Sequence, residues 1–556
     1  MTDSSPFYIT TPIYYVNDKP HVGHCYTTLV ADAVARFMRA AGRDVFFLTG
    51  TDEHAEKVVT SAAERSLTPI QWADRNAAEF QKAFAFLQCS NDDFIRTTED
   101  RHTQRVRDYI QQLLDSDDIY LGEYEGWYDP SQEEYLTETT AREHDYKSPV
   151  TGRELIKRTE KNYFFRLSKY QDRLRKHIEQ HPECVQPEAR RNEVLGRLRE
   201  PLQDVPVSRG SGDASGSSGA SGGGGTSGGS GGASGGGWGI LMPGDESHRV
   251  YVWIDALFNY LSTVDTPERQ RYWPAQVHLI AKDILWFHAV IWPCMLMALG
   301  KPLPATVYSH SFWIREGRKM SKSLGNFLDL PTIEAYCRPF ADGGFGIDAF
   351  RWYLLTQGPL GATDADFAHD KFVEVYNADL ANGIGNAASR VSNMIAKYFE
   401  GLCPVAQGVS DVDAALGKTA QSCVERAFER ATLTHADPAS GFRAGVDISN
   451  AVDEYIALTA PFKLAKDPAN MQTVGTILYQ CAEALRIAAI LMSPAMPSAM
   501  ADLLGRLGQD APDDKGRFAE PLEELCKWGR LQAGTRIVKG EALFPRWDAD
   551  RPVPTP

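Results

Sequence analysis

The opening of the chain constrains its fold more than any other stretch. Two short apolar runs, Phe7–Thr11 and Asp44–Leu48, are bounded by turn residues and read as buried strands. Between them, from His24 to Ala41, apolar residues recur at helical spacing (Leu29, Val30, Ala33, Val34, Phe37, Met38) with no proline. Strand, turn, helix, strand is the start of a nucleotide-binding α/β unit, and the turn reads His21-Val22-Gly23-His24. That places HxGH at a helix N-terminus, where free amides and the helix dipole favour phosphate. A second motif, Lys319-Met320-Ser321-Lys322-Ser323, follows far downstream. Alone, the first is a chance tetrapeptide and the second a solvated basic loop. In this order, each beside an α/β pattern, they supply what a triphosphate needs when its α-phosphorus is attacked: cations and amide donors on both sides.

At 556 residues the chain holds several domains. Its formal charge of −15 argues against a generic nucleic-acid binder, although a local basic track for one RNA remains compatible. Nine cysteines with no CxxC pair indicate reduced thiols. No apolar run approaches the roughly 20 residues of a membrane span, and the N-terminus has no targeting character. The expectation is a cytoplasmic protein with no membrane partner. Residues from about 118 to 200 turn aromatic and charged, then helical and basic around Arg190–Arg199, as in a module inserted between two halves of one sheet. Residues 210–237 are almost entirely Gly, Ser and Ala and read as a flexible loop. The α/β pattern resumes at Arg249, with Val277–Ala281 a further apolar run. After about residue 360, Ala381–Tyr398, Phe442–Leu464 and Val474–Met492 show the spacing of a helix bundle. The last stretch, rich in Pro and Gly, reads as an irregular tail.

Six segments together resemble the methionyl-tRNA synthetases, a family of class I aminoacyl-tRNA synthetases. They are Thr11–Asn17, HVGH, Phe47–His54, Tyr251–Tyr260, Lys282–His288 and KMSKS. The resemblance spans nearly the whole chain outside the Gly/Ser run. It implies an α/β fold: a Rossmann-type parallel-sheet catalytic domain (1–117 and 238–325) split by a connective insert (118–209) and the Gly/Ser loop (210–237). A stem-contact region (326–359), an all-α anticodon-binding domain (360–506) and a tail (507–556) would follow. The activity implied is methionine–tRNA ligation with ATP and Mg²⁺, on tRNA carrying a CAU anticodon, by a monomer.

Methionine offers an ammonium, a carboxylate and a thioether, so its site needs an anion and an apolar, aromatic pocket. By patterning alone, Asp52 reads as a helix cap and the aromatics as core. The resemblance instead gives Asp52 the ammonium and Arg209 the task of holding Asp52. Ile13, Tyr15, Trp253, Ala256, Leu257, Tyr260, Ile284, Phe287 and His288 would line the side-chain pocket. His21, Gly23, His24, Lys319, Ser321 and Lys322 would bind ATP, the two histidines and two lysines being catalytic, with Gly23 giving adenine close approach to the backbone. Asn386, Arg390 and Phe462 would read the anticodon, Phe462 standing where the family has a stacking tryptophan.

Other departures are informative. No cysteine lies between Cys89 and Cys184, so the zinc knuckle of many bacterial relatives cannot be built and no structural zinc is expected. Ala55 and Ala281 replace glycines usual in the family. The insert is too small for an editing module, which argues against the leucine, isoleucine and valine enzymes. A non-catalytic RNA-binding paralogue and a small HxGH nucleotidyltransferase are the remaining rivals. Intact HxGH, Asp52 and KMSKS weigh against the first, and the helical C-terminal half against the second.

Overall fold

The computed structural model describes residues 4–130, 134–136, 138–210, 237–315, 317–320, 327–338, 345–433 and 438–548. Strands β1 (Pro6–Tyr15), β2 (Asp44–Asp52), β3 (Asp93–Arg96), β4 (Val185–Gln186), β5 (Val277–Ala281) and β6 (Thr306–His310) form one six-stranded sheet, ordered β3-β2-β1-β5-β6-β4. Every pairing is parallel. Strands sandwiched on both faces read as apolar runs rather than alternations, which is how β1, β2 and β5 are visible in the sequence. Both observed N-terminal strands run longer than their apolar cores, to Tyr15 and Asp52. At Gly50 in β2 an added Cβ would lie 2.0 Å from the Ile95 carbonyl oxygen, so β3 packs there only against glycine.

Helix α1 (Val22–Ala40) crosses between β1 and β2 and is buried on every side; of its residues only Gly23 and His24 are not. Burial of each large apolar side chain along it contributes about 1.5–3 kcal/mol. Its polar exceptions are matched: Arg36 donates to Asp32 at 2.9 Å, and Arg39 to Asp92 at 2.6 Å and Ser90 at 2.8 Å.

The stretch 118–209 contributes to three sheets. Ile119–Asp129, Glu134–Leu136, Ile156–Phe165 and Val205–Pro206 form their own antiparallel sheet, while β4, from the same stretch, closes the edge of the catalytic one. Ser208–Gly210 then pairs with Asp245–Val250, joining the two sides of the Gly/Ser run, of which 211–236 lie outside the described residues. The segment Tyr251–Asp255 is not a strand: it enters a short helix, α2 (Val252–Leu257).

Beyond the sheet, α3 (Gly346–Gln357) leads into helices that include α4 (Gly385–Phe399), α5 (Ala444–Thr459) and α6 (Met471–Met492). With its preceding turn, α6 forms a helix, Pro468–Met492, long and apolar enough to cross a membrane. That departs from the expectation that no such run exists. Its apolar window is 94% buried in the bundle, so the composition reflects a central core helix. One fully buried side chain joins the halves of the molecule. Arg351 on α3 donates to Asp32 of α1 at 2.8 Å, to the Leu87 carbonyl at 2.8 Å and to Ala495 and Pro494 of the bundle. Burial pushes the Asp32 carboxyl upward, but Arg36, Arg351 and Ser90 outweigh it and hold it at about 2. The C-terminal stretch is irregular as expected, yet packed. Trp547 is buried, Tyr376 donates to the Pro545 carbonyl at 2.6 Å, and Lys515 forms an ion pair with Asp92 beside α1.

Candidate active site

A cavity of about 480 Å³ opens at the carboxyl ends of β1, β2, β5 and β6. This is the crevice of a parallel sheet where the chain reverses its winding, between β1 and β5. One end is formed by the HxGH turn. His21 is the N-cap of α1: its Nδ1 accepts from the Gly23 amide at 3.0 Å, and His24 Nδ1 accepts from the His21 amide at 3.3 Å. A capping box ordinarily uses a hydroxyl and a carboxylate; here two imidazoles perform it reciprocally. Because each Nδ1 is an acceptor, each ring keeps its proton on Nε2. The rings stack at 3.8 Å. Burial, reinforced by His21, lowers the His24 pKa well below the ordinary value, so this ring is a neutral hydrogen-bond donor. Gly23 has a nearer constraint than adenine: a Cβ there would lie 2.8 Å from Cε1 of His21.

The two motifs are brought together after all the intervening chain. The Val22 amide donates to the Leu328 carbonyl at 2.8 Å, and Phe327 meets the His21 ring edge-on at 4.9 Å. Upstream, Arg318–Lys319 pairs with Trp313–Arg315 around Gly317, whose φ of +69° suits glycine and whose amide donates to Asp366 at 3.0 Å. Met320 reaches the cavity wall. Of the expected ATP-binding lysines, the structure describes the backbone of Lys319; Ser321 and Lys322 lie outside the described residues.

The other end is carboxylate and aromatic. Asp52, at the end of β2, is 2% exposed and lines the cavity with Ile13, Tyr15 and Trp253. Ala256, Leu257, Tyr260, Ile284 and His288 complete that wall. Tyr15 meets Trp253 edge-on at 5.8 Å. Phe287 is not on the cavity surface but behind it, stacked on Trp253 at 4.1 Å. His288 donates from Nδ1 to the Ile284 carbonyl at 2.9 Å and accepts the Tyr260 hydroxyl on Nε2 at 2.7 Å. Burial lowers its pKa to about 4, so it is neutral. Arg209 donates to the Tyr128 hydroxyl, with its guanidinium 4.8 Å from both the Tyr128 and Tyr251 ring centres. Ala55 and Ala281 have φ of −64° and −86°, ordinary for alanine, so the loss of glycine costs no backbone strain.

The sequence reading missed Asn17, Asp283 and His310, all of which line the cavity. His310 donates to the Ser311 carbonyl at 2.7 Å and bonds Thr27 of α1 through Nε2 at 2.8 Å. The signal was there: it ends Thr306–His310, a short stretch with β-branched and aromatic residues that follows Pro302 and Pro304 and becomes β6. Away from the cavity, Arg390 and Asn386 of α4 converge on Asp453 of α5, Asn386 at 3.4 Å, while Phe462 is 45% exposed just past the end of α5.

The family tRNA synthetases class I (M) matches residues 7–144, 140–212 and 234–392. The chain belongs to that family. A methionine–tRNA ligase of Caldanaerobacter subterraneus is 40% identical, with 98% of this chain and 79% of the relative aligned. One of Rhizobium meliloti is 40% identical across 99% of both chains. The Mycobacterium tuberculosis methionyl-tRNA synthetase, solved with methionyl-adenylate, superposes with a TM-score of 0.83 at 34% identity, over 98% of this chain and 100% of that one. As a class I synthetase, the chain has its parallel catalytic sheet and its helical C-terminal half accounted for by one family.

Proposed function

We propose that the chain is a methionine–tRNA ligase. The observation that carries this reading is one continuous cavity with a carboxylate and aromatic wall at one end and a histidine-capped helix N-terminus at the other. Asp52 takes the methionine ammonium, and Arg209 pairs with Asp52 to hold it in position. Ile13, Tyr15, Trp253, Ala256, Leu257, Tyr260, Ile284 and His288 surround the thioether, with Phe287 supporting Trp253. His21, Gly23 and His24 meet the triphosphate from the α1 side, and Lys319, Ser321 and Lys322 from the other.

The methionine carboxylate is ionised at neutral pH, so activation needs no general base. Its oxygen forms the bond to the α-phosphorus in line as the bond to pyrophosphate breaks, giving methionyl-adenylate. Neutral Nε2–H donors on His21 and His24 suit this step, since they stabilise developing charge on phosphate oxygens without having to lose a proton. Charge on the nucleotide's phosphate oxygens would be neutralised in part by Mg²⁺ accompanying ATP. In the second step the 2′-hydroxyl of the terminal tRNA adenosine attacks the adenylate carbonyl and AMP leaves. Asn386, Arg390 and Phe462 contact a CAU anticodon, in a cytoplasmic monomer.

Pyrophosphate exchange into ATP with each of the twenty amino acids, without tRNA, tests the reading. Exchange driven by methionine alone is expected; exchange driven by another amino acid would keep the class and overturn the pocket assignment. Among the described residues no group of three or more His, Cys, Asp or Glu side chains is placed to hold a metal. Elemental analysis of the purified protein is expected to find no stoichiometric zinc.

A further inference from the structure

Behind the methionine end of the cavity lies a buried charge cluster with no part in the mechanism above. Asp255 sits on α2 between residues that line the cavity, Trp253 and Ala256, but is itself turned away and 1% exposed. Its Oδ2 accepts from His54 Nδ1 at 2.6 Å and its Oδ1 from His102 Nε2 at 2.7 Å. His102, on the helix Asp100–Asp115, is fully buried, and its Nδ1 bonds the Ser262 hydroxyl at 2.8 Å. His54 follows Asp52 by two residues and packs edge-on against Trp238. One carboxylate thus ties together the end of β2, α2 and the helix 100–115.

The residue between Asp52 and His54 is held just as firmly. Glu53 is fully buried and accepts Arg96 at 2.7 and 3.1 Å and Thr51 at 2.8 Å, while the Trp238 indole donates to its carbonyl at 2.7 Å. Asp52 and Ala55 face the cavity, and Glu53 and His54 are clamped outside it. The helix bearing Trp253, Ala256 and Leu257 and the strand end bearing Asp52 therefore have a common anchor, the Asp255 carboxylate. Burial alone would raise that carboxyl, but His54 and His102 hold it near 2, so it stays ionised at any working pH.

We propose that Asp255, acting through His54 and His102, is a positioning residue that fixes the ammonium-binding carboxylate of Asp52 and the Trp253 wall at the spacing of one methionine. It touches no substrate atom. A displacement of about 1 Å between two recognition groups can cost roughly a hundredfold in their use, so an anchor shared by both elements bears on affinity for the amino acid and not for the nucleotide.

The inference rests on methionine activation, which exchange by the wild-type protein tests separately; no methionine-driven exchange there would sink both. The experiment compares His54→Ala, His54→Asn and Asp255→Asn in pyrophosphate exchange, with thermal midpoints measured alongside. His54→Ala and Asp255→Asn are expected to raise KM for methionine about tenfold to a hundredfold while KM for ATP stays within about twofold. His54→Asn should recover most of the loss, because its side-chain N–H stands where Nδ1–H stood. A folded His54→Ala protein with unchanged KM for methionine, or with both KM values raised equally, would overturn the proposal. So would failure of His54→Asn to improve on alanine. If Asp255→Asn does not fold, the two His54 variants decide the matter.

Discussion

The cavity and the α4–α5 face of the bundle are both places where this chain is expected to meet a substrate, and they are built on opposite plans. In the cavity, polar groups are immobilised by the protein. His21 and His24 are fixed by backbone amides, His288 by a carbonyl and Tyr260, and the flanks of Asp52 by Arg96 and Asp255. On the bundle, Asn386 and Arg390 share a single carboxylate, Asp453, and Phe462 stands 45% exposed. A small amino acid and a triphosphate must be held within a fraction of an ångström for in-line attack, which favours groups that cannot move. On the proposed reading, the base edges of a splayed RNA loop displace Asp453 from its partly exposed ion pair with Arg390. On that reading the enclosed polar groups serve the step in which bonds are made, and the more exposed face serves a step in which none is made.

Four changes would break or sharpen this contrast. The largest effect should come from Arg351→Met, which leaves the buried Asp32 with Arg36 as its one guanidinium partner and takes the donor from the Leu87, Pro494 and Ala495 carbonyls. Urea unfolding should show about 3–5 kcal/mol lost, and a loss below about 1 kcal/mol would show that the halves do not depend on this tie. Next, His24→Ala should slow pyrophosphate exchange by about 10²–10³-fold at saturating substrates, leaving KM for methionine within a few-fold. Equal losses in both would mean the two ends of the cavity are not separable. Third, Arg390→Ala or Phe462→Ala should raise KM for tRNA roughly tenfold in aminoacylation and leave tRNA-free exchange unchanged. A fall in exchange would tie the bundle face to the cavity.

The smallest effect concerns Asp348, at the start of α3. Burial raises its carboxyl to about 6, only partly offset by the Ala499 amide, which donates to Oδ2 at 2.5 Å. The folded chain thus keeps a proton that the unfolded chain, with a carboxyl near 3.9, gives up. The stabilisation is full below about pH 4 and is lost as pH rises through 6. Asp348→Asn should flatten this slope by on the order of 1–2 kcal/mol in unfolding free energy measured from pH 4 to 7; an unchanged slope would place the proton elsewhere.

Much of the catalytic half was legible because its signals are local. A buried parallel strand is an apolar run and a helix start is an N-cap, which together mark the HxGH turn; Asp52 reads by pattern as a helix cap, and the resemblance to the family gave it a place in the cavity. Long-range pairing carried no such mark. Nothing in Val185-Gln186 announces the edge of a sheet whose neighbour is Val307 and Tyr308, and Tyr251–Asp255, apolar enough for a strand, enters a helix instead. His310 was missed for want of a strand assignment. The Asp255 cluster was invisible because His54, His102 and Asp255 are ordinary polar residues until the fold brings them into contact.

The tie between Asp32 and Arg351 also has a consequence in time. The two residues are 319 positions apart, and a ribosome adding about 5–20 residues per second needs roughly 15–60 s to supply the second after the first. Throughout that interval the helix destined to be buried on every side has Arg36 and Ser90 for its carboxylate but no bundle to cover it. Until the bundle is made, the nascent catalytic half exposes the apolar surface that the bundle later covers, and exposed apolar surface favours aggregation. A nascent chain stalled before residue 351 should be a stronger chaperone client than the finished protein.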